Sequence, residues 1–333
     1  MIEYQIISDL GKRENRGEII ITLFEWCDLK CKFCNQDHNS NVGMDTIRDK
    51  TYAIDDAIHK LKSIGKNYFS IHLMGGEVFS DFVDNSCFDD YKYLYDKYNS
   101  DNTEICMTTN FIFNNVDRVK QLLKDCPDMK LMTSYDPSGR FSEKNEQVFL
   151  ENIEMFNRLH KVKSINVIMT KPNIRKFLDG DRDTFDKLYY KNYDFFFDYY
   201  TPEKNAEIMS PTDIQLRDLM KLMIERYPSV EPFRSISKKE NQKMTCQDTY
   251  TIMPTGEGGF CTILLDDRNN FIPKEKLEKS WVEEYGCLEC KYFQRCGLGC
   301  FLGNHLYSYK TQEVCWLSEV YDYVEGRSTE INW

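Results

Sequence analysis

The chain is 333 residues long, carries 13 cysteines and has a formal net charge of −11. That length implies roughly two domains. An acidic chain whose densest basic cluster is Lys238, Lys239 and Lys243 is a poor partner for nucleic acid or an anionic membrane. No apolar run approaches the roughly eighteen residues of a membrane span, and no secretory signal opens the chain. The expectation is a cytoplasmic protein whose cysteines are metal ligands rather than disulfides.

The first element is the apolar run from Ile19 to Trp26, which reads as a strand buried on both faces of a parallel sheet. It ends in Cys27, Cys31 and Cys34, spaced Cys-x3-Cys-x2-Cys. Three thiolates on one short loop can hold three corners of a four-iron cluster and leave the fourth iron open. A zinc ion is the alternative, with His38 as fourth donor. Next comes a helix over 46–64, with Ile54, Ile58, Leu61 and Ile64 at helical spacing and Gly65 as its stop. Strand 68–74 follows and ends in Gly75-Gly76-Glu77. A helix marked by Tyr91, Leu94, Tyr95 and Tyr98 leads to strand 103–109, helix 115–126, strand 129–135, helix 145–160 and strand 164–170. A weaker helix around 174–190 precedes the aromatic strand 193–200. Six strands alternating with helices predict right-handed βαβ units around a parallel sheet.

A further helix opens at Ser210-Pro211, with Ser210 as N-cap and Leu216, Leu219, Met220, Met223 and Tyr227 as its core stripe. Residues 228–245 are polar and aperiodic and read as a linker. Seven cysteines then fall between 246 and 315. Cys87, Cys106 and Cys126 read as core residues. His72 reads as a barrel-interior residue, and His160 continues the stripe Phe149, Ile153, Phe156.

The loop Cys27–Cys34 resembles the signature of the radical S-adenosylmethionine (SAM) enzymes, with Phe33 at the aromatic position before the last cysteine. Gly75-Gly76-Glu77, some forty residues later, matches the motif that in this family meets the SAM amino group. The resemblance implies an incomplete (β/α)6 TIM-like barrel in an α/β fold. It also implies a [4Fe-4S] cluster on Cys27, Cys31 and Cys34, whose open iron binds SAM and whose electron yields a 5′-deoxyadenosyl radical. SAM contacts are implied at strand ends, among which Ser134 is singled out beside Thr109, Asn110, Asp136 and Asn166 to Thr170.

The C-terminal pattern Cys246-x9-Gly256-x4-Cys261, then Cys287-x2-Cys290-x5-Cys296-x3-Cys300 and Cys315, resembles the SPASM domain of such enzymes. That domain carries two auxiliary [4Fe-4S] clusters, giving three in all. The resemblance assigns Cys246, Cys261 and Cys300 to the first, and Cys287, Cys290, Cys296 and Cys315 to the second. A zinc ribbon on Cys287, Cys290, Cys296 and Cys300 is the alternative, and it leaves Cys246, Cys261 and Cys315 unexplained. Two clusters want eight ligands and the domain offers seven, so the first has an open iron or a non-cysteine ligand such as Asp248 or Glu257.

The expected organisation is a partial barrel over 1–227, a linker over 228–245 and a SPASM domain over 246–333. The expected activity is hydrogen abstraction from a peptide or protein side chain, giving an oxidised or cross-linked product. A dehydrogenase or epimerase of a small biosynthetic intermediate is the alternative. A reductant protein such as flavodoxin or ferredoxin is implied as partner. Two departures from relatives narrow the substrate. Thr262 stands where anaerobic sulfatase maturases tend to carry a basic aspartate, with Asp266 and Asp267 close by. Only 26 residues precede Cys27, too few for a separate leader-binding domain. No catalytic base is legible.

Overall fold

The computed structural model describes residues 15–34, 36–200, 206–240, 248–259, 282–283, 286–293, 295–296 and 315–330. Cys246, Cys261, Thr262, Asp266, Asp267 and Cys300 lie outside the described residues.

Six strands form a parallel sheet in sequential order: β1 (Arg16–Thr22), β2 (Tyr68–Met74), β3 (Thr103–Thr108), β4 (Lys130–Ser134), β5 (Val162–Met169) and β6 (Phe195–Tyr199). Between them run α1 (Thr51–Ser63), α2 (Asn85–Tyr98), α3 (Val116–Asp125), α4 (Glu143–Arg158), α5 (Lys171–Asp179) and α6 (Asp183–Tyr189). The predicted incomplete (β/α)6 barrel is therefore present. The sheet also gains two strands at its β1 edge. β7 (Thr249–Ile252) pairs parallel with β1, and β8 (Gly258–Gly259) closes an antiparallel hairpin on β7. This addition was not expected from the alternation of strands and helices, because it arrives from the far end of the chain.

Side chains alternate across the sheet. Ile19, Ile21, Ile71, Leu73, Ile105, Leu131, Ile165, Val167 and Phe197 are buried against the helices. Glu18, Ile20, His72, Met74, Met132, Asn166, Ile168, Phe196 and Asp198 take the opposite parity, which faces the lumen. The helices supply matching apolar stripes, for example Phe149, Ile153 and Phe156 on α4, all fully buried.

Several boundaries differ from the sequence expectation. The first strand stops at Thr22 rather than Trp26, because the chain there turns away to bond to the loop after β2. The weak helix around 174–190 is two helices, broken at Gly180, whose φ of 90° ends α5 in the left-handed region. The helix α8 (Asp213–Arg226), after the short α7 (Ala206–Met209), is capped by Thr212 and not by Ser210. Thr212 and Gln215 exchange side-chain-to-backbone bonds in a capping box, which satisfies two donors that Ser210 does not reach. Met220 and Met223 are fully buried packing residues, as expected. His160 leaves the α4 stripe: it sits exposed with φ 56°, and its carbonyl accepts a bond from Lys130 Nζ. Cys87 and Cys126 are buried core residues, whereas Cys106 is buried on the opposite face of the sheet, with the parity of His72.

Residues 228–240, read as part of the linker, include α9 (Phe233–Ser237), with Phe233 and Ile236 buried. The last helix, α10 (Trp316–Glu330), packs on α8 through Arg217–Glu319 and Tyr323–Glu225 contacts.

Candidate active site

After β1 the chain runs alongside the end of β2 and is tied to it by backbone bonds. Leu23 N donates to Met74 O (2.7 Å), Gly76 N to Phe24 O (2.8 Å) and Glu77 N to Trp26 O (2.9 Å). The glycines make this approach possible. A β-carbon on Gly75 would lie 2.9 Å from Phe24 O, and one on Gly76 would lie 1.8 Å from Trp26 O. Residues some fifty positions apart in the sequence are thus one surface, at the carboxyl end of the sheet where α/β barrels carry their sites.

Cys27, Cys31 and Cys34 follow directly. Cys27 N donates to His38 O (3.2 Å) and Cys34 N to Cys31 O (3.1 Å), which folds the loop back on itself. Cys31 is buried, while Cys27, Phe33 and Cys34 are half-buried. Burial, with smaller contributions from Glu77 and Cys31, pushes the Cys27 thiol up to about 12. Among the described residues no three His, Cys, Asp or Glu side chains converge on a single ion.

The carboxylate of Glu77 is fully buried. It accepts bonds from Phe79 N (2.9 Å), Thr109 Oγ1 (2.6 Å) and Asn110 N (2.6 Å). Burial raises its pKa to about 7 against the pull of these donors. Glu77 therefore ties the end of β2 to the end of β3. Arg140, in the loop after β4, donates to Ser134 O and lies in the field of Cys31, Asp136 and Glu77. Sequence pattern did not single it out, since a lone arginine after an Asp-Pro turn carries no periodic signal. Three buried polar atoms around these strand ends have no hydrogen-bond partner: Asn110 Nδ2, Asp136 Oδ2 and Arg140 Nε. Buried polar atoms of this kind are normally satisfied, and both donors and an acceptor are present here for a polar ligand.

No protein-family model and no curated protein matches the chain. Solved structures do. Native anSMEcpe with bound AdoMet and a Cp18Cys peptide superposes with a TM-score of 0.63 at 15% identity, covering 95% of this chain and 97% of that one. SuiB of Streptococcus suis bound to the precursor peptide SuiA gives 0.53 at 17% identity, covering 92% and 77%. The chain shares the fold of these two structures.

Within this fold the described C-terminal cysteines gather in part. Cys287 lies in the field of both Cys290 and Cys315, and burial pushes its thiol up to about 12. Burial also raises Cys315, with Cys290 and Asp213 adding to the shift. Cys296 is buried in the same core, near Tyr321. Asp248, one of the two non-cysteine ligands considered, has its carboxylate 2.7 Å from Lys66 Nζ in a buried ion pair. It directly precedes β7, at the amino end of the sheet.

The lumen of this fold holds a group that sequence reading missed. Asp198, one residue from the carboxyl end of β6, is half-buried and accepts a 2.6 Å bond from Asn166 Nδ2. Desolvation pushes its carboxyl up to about 7; the Asn166 bond opposes this and Glu18 adds to it. His72 faces the same lumen, 2.9 Å from Ser70 Oγ, and burial lowers it to about 4. Strand parity was the available signal for Asp198, but the aromatic residues of YDFFFDYY dominated the reading of that strand.

Proposed function

We propose that the protein is a radical SAM enzyme that abstracts a hydrogen atom from a peptide or protein side chain, giving an oxidised or cross-linked product. The observation that carries this reading is the backbone seam joining Phe24–Trp26 to Gly75–Glu77. It sets three cysteines and a glycine-lined ledge side by side in a fold shared with enzymes solved with AdoMet and with peptides.

In this reading Cys27, Cys31 and Cys34 hold a [4Fe-4S] cluster, which when bound supplies the electron that cleaves SAM. The carbonyls around Gly75 and Gly76 meet the SAM ammonium group. Phe33 lies within the cluster loop, directly before Cys34. Arg140, with Nε unpartnered, faces the SAM carboxylate as a charge-assisted donor, with Ser134 beside it. Glu77 does not contact the ligand through its carboxylate; it fixes the ledge through its three bonds. Cys246, Cys261 and Cys300, and Cys287, Cys290, Cys296 and Cys315, hold two auxiliary clusters. Asp198 stands on the lumen wall as the carboxylate able to take a proton from the substrate near neutral pH.

The experiment is anaerobic reconstitution followed by dithionite and SAM, with 5′-deoxyadenosine as readout. The wild type should form it. The triple variant Cys27→Ala, Cys31→Ala, Cys34→Ala should not, while it retains the iron of the other sites. Deoxyadenosine from the triple variant at the wild-type rate would overturn the assignment. Incubation with synthetic peptides from the neighbourhood of the coding sequence then tests the substrate class.

A further inference from the structure

We propose that Cys106 and Lys163 are a modification site, joined by a sulfur–nitrogen bond when the protein meets a hydroperoxide. The proposal starts from the one irregularity in the β4–β5 ladder. Leu131 pairs with Val162 and Met132 with Ser164, so Lys163 is an extra residue without a partner. A bulge of this kind re-aims a side chain. Here it sends Lys163 across β4 to β3, where Nζ lies 2.7 Å from Glu104 Oε1 and 3.3 Å from Cys106 Sγ.

The surroundings hold all three groups in place. Glu104 also accepts from Ser70 Oγ (2.7 Å) and from Arg16, so its carboxylate is fixed beside the amine. Cys106 is 1% exposed, whereas the Lys163 and Glu104 side chains keep 29% and 28% of their surface. The partly exposed amine and carboxylate thus border the buried thiol on its solvent side. Burial raises the Cys106 thiol and the Lys163 charge opposes that rise. Neither residue has a part in the proposed SAM chemistry, so the inference stands apart from it.

The chemistry balances as follows. Hydrogen peroxide oxidises the Cys106 sulfur by two electrons; an S–O bond forms, the O–O bond breaks and water leaves. The resulting sulfenic acid condenses with a nearby nitrogen. Lys163, having passed its proton to Glu104, attacks sulfur; the S–N bond forms as the S–O bond breaks. The hydroxyl leaves as a second water, and one proton goes to solvent. The bond ties β3 to β5 over β4, between residues 57 apart in the chain, which closes a loop and stabilises the folded state. Trapping the sulfenic acid also keeps Cys106 from the irreversible sulfinic state.

The test treats the anaerobically purified full chain with hydrogen peroxide, blocks free thiols with N-ethylmaleimide in denaturant, and maps peptides by mass spectrometry. The expected result is a species joining the Cys106 and Lys163 peptides, with the summed mass less two hydrogens, which reverts on treatment with excess thiol. In Lys163→Arg that species should vanish and Cys106 should appear as sulfinic acid. Finding Cys106 free, or sulfinic to the same extent in wild type and Lys163→Arg, overturns the proposal. The wild-type map decides by itself if the variant fails to fold.

Discussion

Gly76 and Trp26 are in backbone contact: Glu77 N, the next amide after Gly76, donates to Trp26 O, and a β-carbon on Gly76 would fall 1.8 Å from that oxygen. Gly76→Ala must push the cluster loop off the end of β2. The expected cost is about 3 kcal/mol or more, as for severe overpacking, with loss of SAM-dependent deoxyadenosine formation. Gly139→Ala, whose β-carbon meets nothing within 4 Å, should stay within about 0.5 kcal/mol of wild type. Chemical denaturation of both variants checks the contrast.

The buried pair Lys66–Asp248 joins the turn after α1 to the start of β7, with side chains only 5% and 7% exposed. Removing one partner leaves a buried charge alone. Asp248→Asn should therefore cost about 3 kcal/mol, while the iron content of the reconstituted protein stays unchanged. A loss of iron in Asp248→Asn would instead return this carboxylate to the list of cluster ligands. Replacing both residues with apolar side chains should recover most of the loss.

Asp198 gives a pH signature. Its folded pKa is raised to about 7 from an ordinary value of 3.8. Between those limits the folded state binds more protons than the unfolded state, so this group's contribution to stability falls as pH rises from about 4 to about 7. Asp198→Asn should flatten that slope, by up to about 4 kcal/mol across the window. Urea midpoints measured at several pH values on both proteins decide it.

The same substitution separates cofactor cleavage from substrate chemistry. Asp198 stands on β6, with four strands between it and the β1 that leads into the cysteine loop, so Asp198→Asn should leave substrate-free deoxyadenosine formation within about twofold of wild type. Turnover of a peptide substrate should fall by about a hundredfold or more, the usual scale for a general base. Equal loss in both assays would show that Asp198 acts on the SAM site instead.

Metal stoichiometry tests the cysteine assignments. The reconstituted chain should hold about twelve iron and twelve sulfide if all three sites take four-iron clusters. Replacing Cys287, Cys290 and Cys315 with Ala should remove about four of each. Stoichiometric zinc with little sulfide would rule out the cluster reading.

The sequence alone determined the elements and named the candidate ligands. Apolar periodicity is a local property, so the six alternating strands and helices were legible, as were the short cysteine loop and Gly75-Gly76-Glu77 at a strand end. Helix limits slipped where a competing local bond won, as at Thr212 and Gly180. Only the tertiary structure decided which distant groups meet. Sequence spacing carries no information about the pairing of β7 with β1, the seam of Trp26 against Gly76, or the capture of Asp248 by Lys66. Arg140, Asp198 and Lys163 stayed hidden for a related reason. Each acquires its chemistry from groups that distant parts of the chain bring beside it: a bulge aims Lys163, strand parity aims Asp198, and Arg140 lies in a loop.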